Sequence, residues 1–379
     1  MTSLECASSA LSGFDRNAQS LPDVGPVPPK AAFHGVIRDA LLRPPCLVSF
    51  SGGRDSSSVL AAAVSVARTE GLPLPVPVTM SFPADTASHE ESWQHLVLDH
   101  LGITDRIVHE LHDEMDIIGP DATAVLDAHG LMFPMNVHFH RRIFADAAGG
   151  TVLTGLGGDE LGNAARERWT ERSLAAGDVT GRTLSSLSYH LSPRVARIAV
   201  DIARTRTGDV AHPWLNGTAR RELRVLSALD RASEPLGWSR VLREWIPRHR
   251  YFTVVRDSFD RVARDTGTTV LHPFIEPATL SALASHNPFV GVGGRRALLR
   301  VLMGEDLPEL LVTRKTKAEF GNSFWTDNTR RFAQSWTGGG FGDIARYIDE
   351  DGLRAEWSKQ VPDARSMLLL QQLWMNASH

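Results

Sequence analysis

Cysteine, long apolar runs and clusters of positive charge are all scarce in this sequence. Cys6 and Cys46 are the only cysteines and form no Cys-x-x-Cys motif, so neither a disulfide framework nor a cysteine zinc site is predicted. No apolar run approaches the ~18 residues of a bilayer-spanning helix, and the N-terminus lacks a basic start followed by an apolar core. These absences indicate a cytoplasmic protein without membrane contact.

The charge balance excludes another class of partner. Of 379 residues, 40 are Lys or Arg and 44 are Asp or Glu, which gives a formal net charge of −4 at pH 7. No polybasic run is present, so the sequence shows no electrostatic surface for nucleic acid or for an anionic membrane. This balance argues against an enzyme that modifies tRNA. A hydrophobic content of 42% is ordinary for a globular protein with a large core.

The stretch LVSFSGGRDSSS, residues 47–58, is the most informative part of the chain. An apolar strand is predicted over 46–50 and a helix over 56–68. Between them, Gly52 and Gly53 can adopt backbone angles that a side chain would forbid, so successive N–H groups can converge on one anion at the positive end of the helix. This order of strand, glycine turn and helix predicts a phosphate-binding loop.

The polar side chains of this loop indicate how it would bind phosphate. Ser51, Ser56 and Ser57 supply hydroxyl donors. No lysine follows the glycines, as it does in Gly-Lys-Ser/Thr nucleotide loops, and Asp55 stands in the loop instead. A carboxylate would repel pyrophosphate unless a hard divalent cation bridged the two, so Asp55 implies Mg²⁺. A serine-rich helix cap is the simpler alternative, but capping requires one hydroxyl and no acid.

Strands and helices then alternate as far as a second glycine loop. Strands are predicted over 76–82, 106–109 and 151–154, and helices over 90–101, 122–129 and 141–148. Such alternation predicts an α/β fold with a parallel sheet and helices on both faces, in which ligands bind beyond the carboxyl ends of the strands. The second loop, TGLGGDEL at 154–161, follows such an end. Both loops are therefore expected at one crevice.

Three segments are expected along the chain. Residues 1–30 mix Ser, Asp, Gly and Pro and predict a flexible, loosely attached lead. Residues 31–163 form the nucleotide-binding α/β core, and residues 164–379 form a mainly helical part that completes the substrate cavity. The arginines of the helical part are interpreted mostly as solvated helix faces, and a last apolar segment is predicted over 269–274.

The two loops carry a family resemblance. SGGRDS, residues 51–56, resembles the SGGxDS signature of the PP-loop ATP pyrophosphatases, and TGLGGDEL resembles the SGxGxDE loop of asparagine synthetases. The resemblance implies an adenine nucleotide α-hydrolase-like fold and the synthetase domain shared by asparagine synthetases, β-lactam synthetases and lasso-peptide cyclases. In that family the first loop holds the pyrophosphate part of ATP while a substrate carboxylate attacks the α-phosphate. An amine then converts the acyl-adenylate to an amide.

The resemblance also implies cofactors and residue roles. ATP and Mg²⁺ are the implied cofactors, and carboxylates and amines of small molecules or peptides are the implied substrates. Magnesium would be shared by Asp55 and Asp159, with Glu160 as the second choice. The implied nucleotide-binding residues are Phe50, Ser51, Gly52, Gly53, Asp55, Ser56, Ser57, Met80, Thr154 and Gly155.

A third motif, TRKTKAEFGNSF at 313–324, is similar to the late Arg-x-Lys-x-x-Phe segment of the family. With Phe320 as the anchor, the resemblance selects Lys317 as the catalytic cation, and Lys315 is its competitor. The implied role is to stabilise charge on the α-phosphate and later on the tetrahedral oxyanion. LHPFIEP, residues 271–277, resembles the family's Pro-Phe-(Leu/Val)-Asp segment, with Glu276 as the acid in a structural role.

One position departs from the family pattern. The third residue of the second loop, a glutamate in asparagine synthetases and a tyrosine in β-lactam synthetases, is Leu156, which cannot move a proton. Another group must then accept the proton of the amine, and Glu90, Glu91, His138 and His140 are all open candidates.

The predicted function is that of an AMP-forming amide ligase. Thr2 stands where a glutaminase would need its cysteine, and the space before the first loop is too short for a glutaminase domain, so glutamine is not the expected nitrogen donor. The amine could belong to a second molecule or to the same one, which would make the protein a cyclase of specialised metabolism. A nucleotide-binding partner that has lost turnover is the alternative, and the oligomeric state is left open.

Overall fold

A five-stranded parallel sheet forms the centre of the molecule, in the order β3-β2-β1-β4-β5. The computed structural model describes residues 1–23, 25–83, 90–204, 212–304, 306–314 and 321–378. The strands are β1 (Cys46–Ser49), β2 (Val76–Ser81), β3 (Ile107–Glu110), β4 (Thr151–Leu153) and β5 (Thr269–Leu271). Each overlaps a segment predicted from the apolar pattern, and the predicted α/β fold is confirmed.

Helices surround the sheet and make up most of the C-terminal half, as predicted. In chain order the α-helices are α1 (Ser3–Ser8), α2 (Pro29–Leu41), α3 (Arg54–Glu70), α4 (Glu91–Leu101), α5 (Pro120–His129), α6 (Arg141–Asp146), α7 (Gly158–Glu167), α8 (Trp169–Ala175), α9 (Gly181–Leu191), α10 (Arg194–Arg204), α11 (Gly217–Ser233), α12 (Trp238–Arg240), α13 (Arg250–Arg264), α14 (Pro277–Ser285), α15 (Arg295–Met303), α16 (Glu309–Thr313), α17 (Gly321–Phe324), α18 (Asp327–Ser335), α19 (Glu350–Trp357) and α20 (Met367–Ser378). Shorter turns at Val137–His140, Ile246–Arg248, Gly342–Tyr347 and Ala364–Ser366 are 3₁₀-helical, and Val241–Trp245 is a π-helical turn. Among the described helices, none has both the length and the apolar character needed to cross a bilayer.

Both faces of the sheet are buried. Neighbouring residues of a strand point to opposite faces, so Val48 and Leu153 pack in one core with α2, α3 and α15, whereas Leu47 and Val152 pack in another with α6 and α13. Continuous apolar strands of this kind are typical of parallel sheets covered on both sides. The sequence pattern and the two-sided packing therefore agree.

The N-terminal segment differs from the loosely attached lead that was expected. Leu4 and Ala7 of α1 are buried in a third core, which also contains Trp214 of the C-terminal half. The indole N–H of Trp214 donates to the Ala7 carbonyl at 2.9 Å, and Arg250 forms an ion pair with Glu5 at 2.9 Å. Short apolar helices are stabilised mainly by such packing, which the polar composition of the segment did not reveal.

The sheet order places the crevice between β1 and β4. From β1 the chain proceeds outward through β2 to β3, and it then returns to the other side of β1 with β4 and β5. β1 and β4 are parallel neighbours with Val48 opposite Leu153, so their carboxyl ends lie at the same edge. In open α/β sheets ligands bind at this reversal of strand order, and both glycine loops begin here.

Candidate active site

The two glycine loops are in direct contact. A Cβ atom on Gly155 would lie 2.7 Å from the backbone nitrogen of Ser56, and one on Gly158 would overlap the Asp55 carboxylate. Real side chains do not approach so closely, so glycine at both positions lets the second loop lie against the first. The crevice predicted from the strand order is therefore formed by contact between the loops themselves.

The first loop turns sharply from β1 into the N-terminus of α3. Gly52 has φ +82°, which is the left-handed region that favours glycine, and Gly53 is the N-cap of the helix. The hydroxyls of Ser51 and Ser56 lie 3.1 Å apart across the turn, while the buried Ser57 hydroxyl has no hydrogen-bond partner. The free N–H groups at the helix start give the loop a positive potential for an anion.

A buried ion pair packs against the first glycine loop. The guanidinium of Arg314 contacts both carboxylate oxygens of Glu90, and these side chains are 4% and 6% exposed. Arg314 also donates to the Gly52 carbonyl at 3.2 Å and lies 4.5 Å from the ring centroid of Trp93. Glu90 was a candidate proton acceptor, but its carboxylate is committed to this buried pair.

Asp55 and Asp159, the two carboxylates predicted to share magnesium, lie on either side of one guanidinium. Arg295, at the start of α15, donates to Asp55 Oδ2 at 2.5 Å and also contacts Asp159 Oδ1. The Asp55 side chain is 14% exposed and that of Asp159 is 42% exposed. A single positive charge thus bridges the acidic residues of both loops.

Asp55 retains an oxygen that could bind a cation. Its Oδ1 atom is buried and has no hydrogen-bond partner among the described residues, and burial raises the pKa of this carboxyl although Arg295 acts in the opposite direction. Within the described ranges no group of three or more His, Cys, Asp or Glu could enclose a metal. Two carboxylates do fit Mg²⁺, because that ion usually takes one or two protein carboxylates and fills its octahedron with phosphate oxygens and water.

Thr154 and its neighbours join the second loop to β5. The Thr154 hydroxyl accepts a hydrogen bond from the Leu156 N–H at 3.3 Å and lies 2.7 Å from Nδ1 of His272. Burial lowers the pKa of His272 to about 3, so the imidazole is neutral at pH 7. Glu160, the second choice for magnesium, accepts instead from the Tyr251 hydroxyl at 2.6 Å.

The remaining candidate proton acceptors lie in different surroundings. Glu91 is exposed at the start of α4, and His138 is buried with Nε2 3.3 Å from the Met115 carbonyl oxygen. His140 lines the cavity between the loops. Burial, and secondarily the nearby His138, lower the pKa of His140 to about 4.

A cavity of about 360 Å³ opens between the loops. Its polar side contains Ser51, Gly53, Arg54, Asp55, Ser56, Asp159 and Arg295, and its other side is largely aromatic. Phe50 and Met80, both predicted to contact the nucleotide, line a small recess on the β2 side of the first loop. Of the other predicted nucleotide residues, Thr154 and Gly155 also line the cavity, whereas Gly52 and Ser57 line neither the cavity nor the recess.

Lys317 and Lys315 lie outside the described residues. The described residues that flank this segment, Arg314 and Phe324, both line the cavity. The Glu276 carboxylate forms an ion pair with Arg256 at 3.3 Å, and it accepts a hydrogen bond from the backbone N–H of His272 at 3.4 Å.

Comparison with known families identifies the chain. The asparagine synthase family model matches residues 37–377. The chain belongs to the asparagine synthase family. This confirms the resemblance carried by the two glycine loops, and members of the family are ATP-dependent ligases that usually use Mg²⁺. A search of curated proteins gave no match.

Proposed function

We propose that this member of the asparagine synthase family is an AMP-forming amide ligase. It adenylates a substrate carboxylate with ATP, releases pyrophosphate, and transfers the acyl group to an amine. The observation that carries the proposal is the contact between the loop bearing Asp55 and the loop bearing Asp159 at the β1/β4 edge. A triphosphate on the first loop would then be next to acidic groups of both loops.

Some residues of the site would bind the phosphate groups of ATP, and others would balance the charges around them. The N-terminus of α3 and the hydroxyls of Ser51 and Ser56 would bind phosphate oxygens. Asp55 and Asp159 would hold Mg²⁺, which neutralises phosphate charge and favours departure of pyrophosphate. Arg295 neutralises the same carboxylates, so its positive charge would compete with that of the metal.

Lys317 is proposed as the cation for the transition state. Support comes from the late family-like motif and from the positions of Arg314 and Phe324, which flank its segment and line the cavity. A fixed positive charge at this point would stabilise the α-phosphate during adenylation and the oxyanion during aminolysis.

His140 is proposed as the proton acceptor that replaces the side chain missing at Leu156. Both residues line the cavity. Burial lowers the pKa of this imidazole to about 4, so at physiological pH it is neutral and has a lone pair for the proton of the attacking amine, but it is a weak base.

Exchange of labelled pyrophosphate into ATP tests the proposal. Exchange should require a carboxylate substrate and Mg²⁺, and it should be lost in Asp55→Asn and Lys317→Ala. Asp39→Asn is the matched control, because this exposed carboxylate pairs only with Arg38 at the surface. ATP binding without exchange for any carboxylate would instead support the non-catalytic alternative.

Product masses separate the two versions of the reaction. An intramolecular closure forms a product one water lighter than a single substrate, whereas ligation forms a product one water lighter than the sum of two substrates. ADP and phosphate as products would contradict both versions.

A further inference from the structure

One side of the cavity is formed by the rings of Phe139, His140, Phe259 and Phe324 together with the side chain of Leu156, and we call it the aromatic wall. The ring centroids of His140 and Phe259 lie 4.6 Å apart, and those of Phe139 and Phe324 lie 6.1 Å apart. Phe139 and His140 connect the two pairs at 5.6 Å. The rings therefore form one continuous surface.

The wall meets the recess on the β2 side of the first loop at one ring, because Phe139 lines both. That recess contains Met80 on β2 and Phe50 at the end of β1. The wall includes Leu156 of the second loop, which follows β4, and Phe259 of α13, which packs beside β5. From Phe139 the wall thus extends away from the recess, towards β4 and β5. An adenylate with its base in the recess would therefore direct its acyl group to the part of the wall formed by Leu156 and Phe259.

The described part of the wall carries no formal charge at neutral pH. The pKa of His140 is lowered to about 4, and Asn136 is the neighbouring polar side chain that also lines the cavity. The described carboxylates of the cavity, Asp55, Asp159 and Glu90, are each in contact with an arginine. Arg54 is a further cation of the cavity, but it belongs to the polar side together with Asp55, so a second carboxylate packed against the rings would lose its hydration without gaining a partner there.

We propose that the aromatic wall binds the acyl group of the carboxylate substrate, and that this group is apolar and large enough to pack against the rings. The inference rests on the proposed function, since it assigns one partner of the adenylation. It distinguishes the substrate from aspartate, whose side chain is charged. Phenyl groups are the best match, because offset and edge-on packing between rings adds to the burial of apolar area.

Stable mimics of the acyl-adenylate test the nucleotide site and the acyl subsite separately. The probes are sulfamoyladenosines that carry an acetyl, a 3-phenylpropanoyl or a 3-carboxypropanoyl group, and binding is measured by calorimetry. We expect the phenylpropanoyl compound to bind at least about tenfold more tightly than the acetyl compound, from the area of one buried ring. The carboxypropanoyl compound should bind no better than the acetyl compound.

Two substitutions test whether the aromatic wall causes the differences in affinity among the three compounds. Phe259→Ala should reduce the preference for the phenylpropanoyl compound, and Leu156→Lys should shift the preference towards the carboxypropanoyl compound by supplying a counter-charge. Leu156 is only partly buried, so this variant is expected to fold. Phe289→Ala, at a ring that is 42% exposed, is the matched control and should leave all three affinities unchanged.

The outcomes separate this inference from the proposed function. Equal affinities for the three compounds, or tightest binding of the carboxypropanoyl compound, would overturn the aromatic subsite and leave the nucleotide site intact. If none of the three compounds bound, the proposed adenylation would fail together with the subsite.

Discussion

Replacing Arg295 with glutamine should make the nucleotide-free protein bind a divalent cation more tightly. In the wild type, a cation at Asp55 and Asp159 must compete for their negative charge with a guanidinium that contacts Asp55 Oδ2 at 2.5 Å and also contacts Asp159. Hydrogen bonds to charged groups contribute about 1.5–3 kcal/mol when they are shielded from water. Because Asp159 is 42% exposed, most of the gain in cation binding comes from Asp55. We therefore expect the binding free energy to improve by about 2 kcal/mol. This corresponds to roughly a 30-fold lower dissociation constant.

Electron paramagnetic resonance of free Mn²⁺, titrated with protein in the absence of ATP, measures this constant directly. Arg296→Gln is the matched control, because Arg296 occupies the same helix but contacts the exposed Glu309. The wild type and the control should bind Mn²⁺ weakly and Arg295→Gln tightly. An unchanged Mn²⁺ dissociation constant in Arg295→Gln would refute the competition between arginine and cation. An equal gain of Mn²⁺ affinity in Arg296→Gln would show that the effect comes only from the change in net charge.

Three further predictions concern the surroundings of the site. Gly158→Ala should weaken Mn²⁺ binding without unfolding the protein, because the added methyl overlaps the carboxylate of the first loop, whereas Gly181→Ala, which meets no atom within 4 Å, should not. Glu90→Gln should lower the free energy of unfolding in urea by about 3–5 kcal/mol because it removes one charge of a buried ion pair, and Glu309→Gln, in an exposed pair, should have little effect. The neutral, buried His272 should make stability fall as the pH drops from 6.5 towards about 3, since the unfolded chain takes up that proton first, by at most about 1.4 kcal/mol per pH unit. His272→Gln should reduce this slope in unfolding experiments at several pH values, leaving the part due to His140, and an unchanged slope would contradict the assignment.

The sheet could be predicted from the sequence because its signals are local. Each strand is a short apolar run followed by a turn or a helix, and the glycines of 52–53 and 155–158 mark the ends of β1 and β4. The common crevice of the two glycine loops could be predicted from the rule that ligands bind beyond the carboxyl ends of parallel strands, whereas the strand order was not predicted. The docking of α1 could not be read in this way, because its partner Trp214 is 207 positions away from Ala7.

The same limit of distance along the chain applies to the site. Arg295 was missed because it is 240 positions from Asp55 and lies in a pattern that reads as an ordinary basic helix face. Glu90 was considered as a proton acceptor because nothing in its neighbourhood reveals Arg314, which is 224 positions away. Glycine-rich motifs predict where a ligand binds, whereas the charges that compensate each other across the site depend on tertiary contacts.

The fate of an ¹⁸O label tests the central claim most directly. If the two acidic loops present the α-phosphate of ATP to a carboxylate, a substrate labelled with ¹⁸O in its carboxyl group must transfer one labelled oxygen to AMP when the amide forms. Mass spectrometry of the nucleotide should therefore find the label in AMP, with unlabelled pyrophosphate. Label in inorganic phosphate, formed together with ADP, would show attack on the γ-phosphate and contradict the account.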